Sequence, residues 1–429
     1  MDAAAAVPQE GCCALANQRL TAWREGRLTS AMVNGAPVPF AAALTVAAQQ
    51  VAKSKTFSVT GPGLDLQLAT SMIKLAGRPG GQFLLQRTMT SEAIATAMGR
   101  DGATLATLGD VAQNADRAIL IGRPAATLPR LRERFLQDCS VLEVDLPQTA
   151  WLPWVRACLL RLLRQQSPGT PLGAAVVDDQ LAGDENTPSM TDRLDWPSPQ
   201  RLLQFLDDGR YLAWIVDPVA WQGSDSDLIA EWLIRLIEAF GVGRRSVLVA
   251  PDMTQTLRQA LVWQTGFAGS VGFFSADSAP LPSFAGGEQA DQQGWLNPAE
   301  PQPQPLVFPG ATESVIRICP SVVGPANDKD AAFPANAEHR SEIEILIGDP
   351  GSQPQQAVAA AVFLPVAWPG LTLPGNLVRG DGAVTLPLYP LPAERACRVE
   401  LPNVLDVLNQ LMHAQPSLRK ADAPPPRSQ

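Results

Sequence analysis

The stretch Asp101–Phe135, DGATLATLGDVAQNADRAILIGRPAATLPRLRERF, decides how the rest of the chain is read. A short amphipathic segment, Leu108 to Ala115, leads into a compact apolar run, Ala118 to Ile121. Gly122-Arg123-Pro124 closes that run, and a helix-like segment carrying Leu128, Leu131 and Phe135 follows. The order is helix, strand, loop, helix. In a parallel α/β sheet such a strand is buried on both faces, and the loop after its carboxyl end is where ligands usually sit. The physics of the run alone does not name the ligand.

Outward from this stretch the alternation continues. Towards the amino end, Asn34-Gly35 accepts the positive φ of a type I′ turn and predicts a hairpin over 32–38. Ala41 to Val51 reads as a helix and Thr56 to Thr60 as a strand. Gly61-Pro62-Gly63 then feeds a helix with Leu64, Leu68, Met72 and Leu75 on one face. Phe83 to Leu85 and Val141 to Val144 complete an expected first α/β domain over 40–150, after an N-terminal remnant and hairpin at 1–39. A second α/β domain is expected over 151–275. It contains the helix Trp151–Leu163, a polar excursion at 165–200, strands at 211–216, 247–250 and 271–274, and helices at 227–240 and 255–264. Ser224 or Ser226 is the expected cap of the 227–240 helix and Gly241 its stop. A Pro/Gln-rich linker, 276–311, leads to a β-rich part, 312–415, whose Glu342–Ile347 alternates like an exposed edge strand. Val404 to Met412 closes it as a helix, and the tail 416–429 reads as disordered. The expected fold class is α/β.

Composition narrows the function classes. With 46% hydrophobic and 17% charged residues the chain is globular and poor in surface charge, which suits either partner-covered surfaces or an ordinary alanine-rich enzyme. The net charge of −9, with no basic cluster longer than Arg244-Arg245, argues against nucleic acid. MDAAAAVPQE lacks the features of a signal peptide, and no run approaches the ~18 apolar residues of a membrane span. Six scattered cysteines make no disulfide framework, so a cytoplasmic location is expected.

Few residues offer chemistry. His339 lies in a polar loop and His413 at a helix end, and no G-x-S-x-G elbow accompanies either. Cys12 and Cys13 are adjacent, so they cannot reproduce C-x-x-C geometry. Cys139, Cys158, Cys319 and Cys397 stand alone in apolar surroundings and read as small buried hydrophobes. Asp65 and Asp110 sit nearer to strand ends than the loop acids at 178–185, and Asp65 reads first as the cap of the helix it opens. Gly61-Pro62-Gly63 lacks a third fingerprint glycine and a Lys-Ser/Thr pair, and Pro62 removes an amide that a phosphate would need.

Three stretches in order, TLGDVAQNADRAILIG with LPRLRERF, LVWQTGFAGSVGFF near 261, and FLPVAWPGLTLPGNLVRGDGAVTLPL near 363, resemble the molybdopterin-bearing subunit of formylmethanofuran dehydrogenase. The resemblance is closer to the counterpart of that subunit in the bacterial formyltransferase/hydrolase complex, and it spans most of the chain. It implies a molybdopterin-oxidoreductase-like fold of the formate dehydrogenase/DMSO reductase type, with doubly wound parallel sheets. Catalytic relatives carry molybdopterin guanine dinucleotide, an iron-sulfur cluster held by N-terminal cysteines, and a cysteine or selenocysteine on the metal. By resemblance, GCCALANQRL corresponds to the segment around the last cluster cysteine, with Cys13 its relic. The metal-ligand position falls within Met89-Thr90-Ser91, which holds no cysteine.

What the resemblance implies is therefore a non-redox, structural subunit with a degenerate cofactor site. No catalytic, cofactor-binding or metal residue is assigned, and no cofactor is expected. Its partners would be the other three subunits of the formyltransferase/hydrolase complex: the hydrolase, the formyltransferase and the third chain that accompanies them. Together they take formyl-tetrahydromethanopterin to formate through a formyl-methanofuran-type carrier. Arg379, Asp381 and Gly382 match a family word from the domain that covers the pterin, and read here as a turn between strands. Arg123 offers an ion pair to a partner. Two alternatives stay open: a catalytic formylmethanofuran dehydrogenase subunit that binds molybdopterin, and a small-molecule-binding α/β protein.

Overall fold

The structure, a computed structural model, describes residues 29–63, 65–85, 88–128, 130–166, 197–252, 254–274, 302–305, 313–319, 343–349, 360–380, 382–390 and 401–414. Two compact units divide the chain. Unit 1 combines Met1–Gln86 with Met253–Gln429, and unit 2, Arg87–Asp252, is inserted into it.

Unit 1 opens with the hairpin β1 (Ala31–Val33) and β2 (Ala36–Val38). Its turn places Asn34 at φ 51° and Gly35 at φ 77°, the two positive values a type I′ turn requires. Helix α1 (Phe40–Lys53) buries Ala43, Leu44, Ala47 and Val51 along one stripe. Strand β3 (Phe57–Thr60), helix α2 (Leu66–Ala76) and strand β4 (Gly81–Leu84) complete this first segment.

Unit 2 then runs α3 (Met89–Asp101), α4 (Leu108–Asn114), β5 (Arg117–Ile121), α5 (Pro124–Thr127), α6 (Leu131–Phe135), β6 (Ser140–Val144), α7 (Trp151–Gln166), α8 (Pro199–Asp207), β7 (Tyr211–Val216), α9 (Ser226–Phe240) and β8 (Arg245–Val249). The four strands pair in parallel in the order β6-β5-β7-β8. Alternation along each strand divides the core. Ile119, Ile121 and Trp214 pack with Ile94, Trp151, Leu202 and Leu233, whereas Ala118, Leu120, Ala213 and Ile215 pack with Val111 and Leu131. Helices therefore cover both faces, as the near-continuous apolar run at 118–121 predicts.

The sequence reading needs correction at three places in this unit. The segment at 128–135 is not one helix: Leu128 ends α5, and Arg130, at φ 66°, stands before α6, which begins at Leu131. Helices α3 and α8 were not anticipated. Asp225, not Ser224 or Ser226, is the residue before α9, and the Ser226 hydroxyl donates to the Gly223 carbonyl at 2.5 Å.

The chain returns to unit 1 with α10 (Gln255–Thr265), β9 (Val271–Phe274), β10 (Gln302–Pro305), β11 (Ser314–Cys319), β12 (Ile343–Gly348), β13 (Val362–Pro365), β14 (Gly375–Val378), β15 (Thr385–Leu388) and α11 (Val404–Met412). Nine strands form one mixed sheet, β10-β9-β4-β3-β11-β12-β13-β1-β2. Its centre, β4 through β13, is parallel, and β9 with β10 and β1 with β2 add antiparallel ends. Stripes from α1, α2, α10 and α11 share one core with Phe57, Val59, Phe83, Ile316, Ile345 and Leu364. Strands β14 and β15 form a separate two-stranded ribbon.

Three expectations fail here. Strand pairing does not respect the expected domain limits, because β3 and β4 join β9 and β11 while β5 and β6 join β7. Strand β12 is central rather than an edge, with Glu344 on it paired to Arg317 of β11 at 2.9 Å. The expected tail 416–429 and most of the excursions 165–200 and 276–311 lie outside the described residues, but the expected linker 276–311 is not all linker, because β10 within it pairs with β9. Among the described residues no helix is long and apolar enough to cross a membrane.

Candidate functional site

In an open parallel sheet the crevice forms where strand order reverses, outside the carboxyl ends. In unit 2 that point lies between β5 and β7. Strand β5 leaves through Gly122, whose φ of 76° and absent side chain are both required. A Cβ there would stand 2.9 Å from the Ala220 Cβ and 3.0 Å from the Asp217 Cβ.

Three strand ends deliver charge to this crevice. The Arg123 amide donates to Asp217 Oδ2 at 3.1 Å and its Nε to Asp145 Oδ2 at 2.6 Å, so the guanidinium expected to meet a partner already meets a carboxylate of its own chain. Asp217 is buried and also accepts the Val219 amide at 3.2 Å. Beside them the Gln148 side chain accepts the Gln222 amide at 2.9 Å and holds the loop after β7. Asp145 meets the exposed guanidinium and Asp217 accepts two backbone amides, so a pyrophosphate brought here would meet two carboxylates against one cation.

The position that the resemblance assigns to a metal ligand is also in unit 2. Thr88 caps α3: its hydroxyl accepts the Ser91 amide at 3.2 Å and donates to the Ser91 hydroxyl at 3.0 Å. Thr90 is fully buried. Its hydroxyl donates to the Trp221 carbonyl at 2.6 Å and accepts the Trp221 amide at 3.0 Å. Trp221 packs on Trp151 with ring centroids 5.7 Å apart, and Trp151 on Trp154 at 6.3 Å. The Thr90 oxygen is thus committed to the backbone of one residue inside a tryptophan cluster. A hard oxygen so placed does not fit a soft ligand's role towards molybdenum or tungsten.

The remaining candidates have structural duties. Asp110 lies at the amino end of β7, away from the crevice, where it accepts the Tyr211 hydroxyl and the Asn114 amide at 2.8 Å. Burial first, then the hydrogen bond and charge of Asp110, push the Tyr211 phenol up to about 12. Burial pushes the Cys139 thiol up to about 11, and Cys158 is raised by the same cause, so neither is poised as a thiolate. His413 ends α11. Cys319 lies in β11, while Cys12, Cys13, Cys397, His339 and Asp381 lie outside the described residues. Among the described residues no group of three or more His, Cys, Asp or Glu is placed to hold a metal ion.

Unit 1 has its own switch point, between β3 and β11. Gly61 is there for close packing: a Cβ would lie 2.4 Å from the Ile318 carbonyl oxygen, and one on Gly63 would lie 2.5 Å from the Leu257 side chain. Asp65 caps α2 as expected, accepting the Leu68 amide at 2.8 Å. Its other oxygen accepts the Asn376 amide of β14 at 2.5 Å. Arg379 and Gly382 close the turn of the ribbon, with the Gly382 amide donating to the Arg379 carbonyl at 2.7 Å.

Sequence reasoning passed over Asp217 and Gln148, and it placed Thr90 within the metal-ligand position without its bonds to Trp221. The Val216-Asp217-Pro218 step, an acid directly after an apolar run, is the signal that marks Asp217. Thr90 carries none, because its partner is a backbone 131 positions away.

No protein-family model matches the sequence, and no curated protein is significantly similar to it. Solved structures do match. A chain of the formyltransferase/hydrolase complex from Methylorubrum extorquens, crystallised with methylofuran, superposes with a TM-score of 0.59 at 19% identity, covering 89% of this chain and 98% of that one. Acetylene hydratase from Pelobacter acetylenicus superposes with a TM-score of 0.49 at 12% identity over 95% of this chain and 64% of that one. The first likeness shows a shared α/β fold that runs nearly end to end through both chains.

Proposed function

We propose that this chain is a non-redox member of a formyltransferase/hydrolase-type complex in one-carbon metabolism, in the position of the subunit that resembles a molybdopterin enzyme. Its fold would be of the molybdopterin-oxidoreductase type with the cofactor site lost. On this reading it holds the hydrolase and formyltransferase subunits in place while they convert formyl-tetrahydromethanopterin to formate through a furan carrier.

The observation that carries the reading is the end-to-end correspondence with a chain of such a complex, 98% of which is covered. The buried Thr90 hydroxyl, spent on Trp221, supports the loss of a metal ligand. Asp145 and Asp217 at the crevice support the loss of a phosphate-bearing cofactor. Trp263 and Tyr389, 65% and 76% exposed, are of the type that anchors protein interfaces.

The test is recovery of the chain from its native cell by a tag, with protein identification and metal analysis of the eluate. Hydrolase and formyltransferase subunits should co-elute in fixed ratio. A chain recovered alone and monomeric would defeat the proposal, and stoichiometric molybdenum or tungsten with a pterin would favour a catalytic dehydrogenase role instead.

A further inference from the structure

We propose that the β14–β15 ribbon is a strap, fastened across the amino ends of α2 and α10 by the side chains of Asp65 and Thr256, and able to open while the nine-stranded sheet stays closed. It is independent of the assembly proposed above.

The backbone of β14 shows how it is held. Its Asn376 amide donates to the Asp65 carboxylate at 2.5 Å, and its Val378 amide donates to the Thr256 hydroxyl at 3.1 Å, which returns a bond to the Val378 carbonyl at 3.4 Å. Two side chains from two helices thus stand where a neighbouring strand would pair. Both are buried, and Asp65 is simultaneously the cap of α2. The fit is close: a Cβ on Gly375 would lie 2.6 Å from Asp65 Oδ1 and 3.0 Å from the Pro369 Cβ.

Apolar burial contributes little to this attachment. Of the eight strand residues in the ribbon, only Val378 is buried, whereas every residue of β3 and β13 is. A two-stranded ribbon has no independent stability in water, and segments with few buried apolar contacts open locally at a fraction of the global free energy. The base is anchored differently. Trp368 is buried, and its carbonyl accepts the amides of Leu371, Thr372 and Leu373, so the turn before β14 stays with the sheet while the ribbon swings.

Opening would uncover the first turns of α2 and α10 beside Gly61 and Gly63. That is the edge at which open α/β sheets meet their ligands, so the strap determines whether this crevice is reachable.

Amide hydrogen exchange on the full chain tests this. Asn376 and Val378 should exchange faster than Val59 and Ile345 in the sheet. Thr256→Val, which keeps the shape and removes the hydroxyl, should speed exchange at Val378 about tenfold with the sheet amides unchanged. Asp65→Asn, retaining an acceptor for the helix cap, should do the same at Asn376 to a smaller degree. If the ribbon amides exchange no faster than the sheet amides, or if Thr256→Val speeds both equally, the ribbon opens only with the whole unit and the proposal is overturned.

Discussion

The two sheets solve the same problem with different raw material. Unit 2 takes four strands from one continuous stretch, all parallel, with helices on both faces. Unit 1 assembles nine strands from both ends of the chain, and only its middle is parallel. The crevices differ as well. That of unit 2 carries Arg123, Asp145 and Asp217, whereas that of unit 1 is narrowed by Gly61 against Ile318 and crossed by the ribbon. The lesson is that a strand order which places a crevice does not decide what stands in it; the residues just beyond each strand do.

That contrast can be broken most severely in the core of unit 2. Trp214 is fully buried, its Nε1 donates to the Ser246 hydroxyl at 3.0 Å and its ring lies 5.8 Å from Phe240. Trp214→Ala should cost about 3–5 kcal/mol. In denaturant titration followed by hydrogen exchange, the loss should fall on residues 88–252 and leave Val59 and Ile345 protected; equal loss in both sheets would erase the distinction between the units.

Thr90→Val should cost about 2–4 kcal/mol, since it leaves the buried backbone N–H and C=O of Trp221 both unsatisfied. Thr90→Ser, which keeps the oxygen, should recover most of it in the same urea melts. A neutral Thr90→Val would mean that Trp221 is held by its tryptophan neighbours alone.

A smaller effect is expected at the opposite edge of the sheet. Because the folded state raises the Tyr211 phenol to about 12 from its ordinary 10, it favours the protonated form. The resulting stabilisation is fully present below pH 10 and is lost as pH rises from about 10 to 12. Thermal melts of Tyr211→Phe against wild type should converge across that window, and a constant gap would show that the folded state does not discriminate between the two forms.

Least of all should depend on Arg123. Its side chain is 79% exposed, and its ion pair with Asp145 is of the surface kind. Arg123→Ala should change stability by less than about 1 kcal/mol, and less still at high salt. A larger loss, measured by urea unfolding, would mark the crevice of unit 2 as organised around that guanidinium.

Much of unit 2 was legible because its signals are local. A short apolar run bounded by Gly122-Arg123-Pro124 reads as a buried strand by its length and its flanks, β7 is a second such run, and α9 carries a clear helical period. Helix α3 was not, since its buried face consists of Thr90, Ala93, Ile94 and Ala97, too weak a stripe to read against an alanine-rich background. In unit 1 most of the short strands were visible, but not β10, which lies inside the expected linker, nor β13, nor which strands pair. Glu344 made β12 look like an edge because its alternation describes only the face that the Arg317 ion pair occupies, whereas β11 and β13 supply its neighbours on both sides. At the candidate site, the capping role of Asp65 could be read from its place before a helix. Its second bond, to Asn376, spans 311 positions and could not.

By itself the sequence determined most of the element types, the type I′ hairpin, the cap at Asp65 and the scarcity of acid-base and thiolate chemistry, because each depends on residues within one turn or one strand of each other. Only the tertiary structure decided which strands share a sheet, that Thr90 is spent on Trp221, that Arg123 meets Asp145, and that a ribbon lies over the ends of two helices. Those outcomes depend on groups brought together from distant parts of the chain, where the hydrogen bonds and burial that select one pairing over another exist only once the chain has closed.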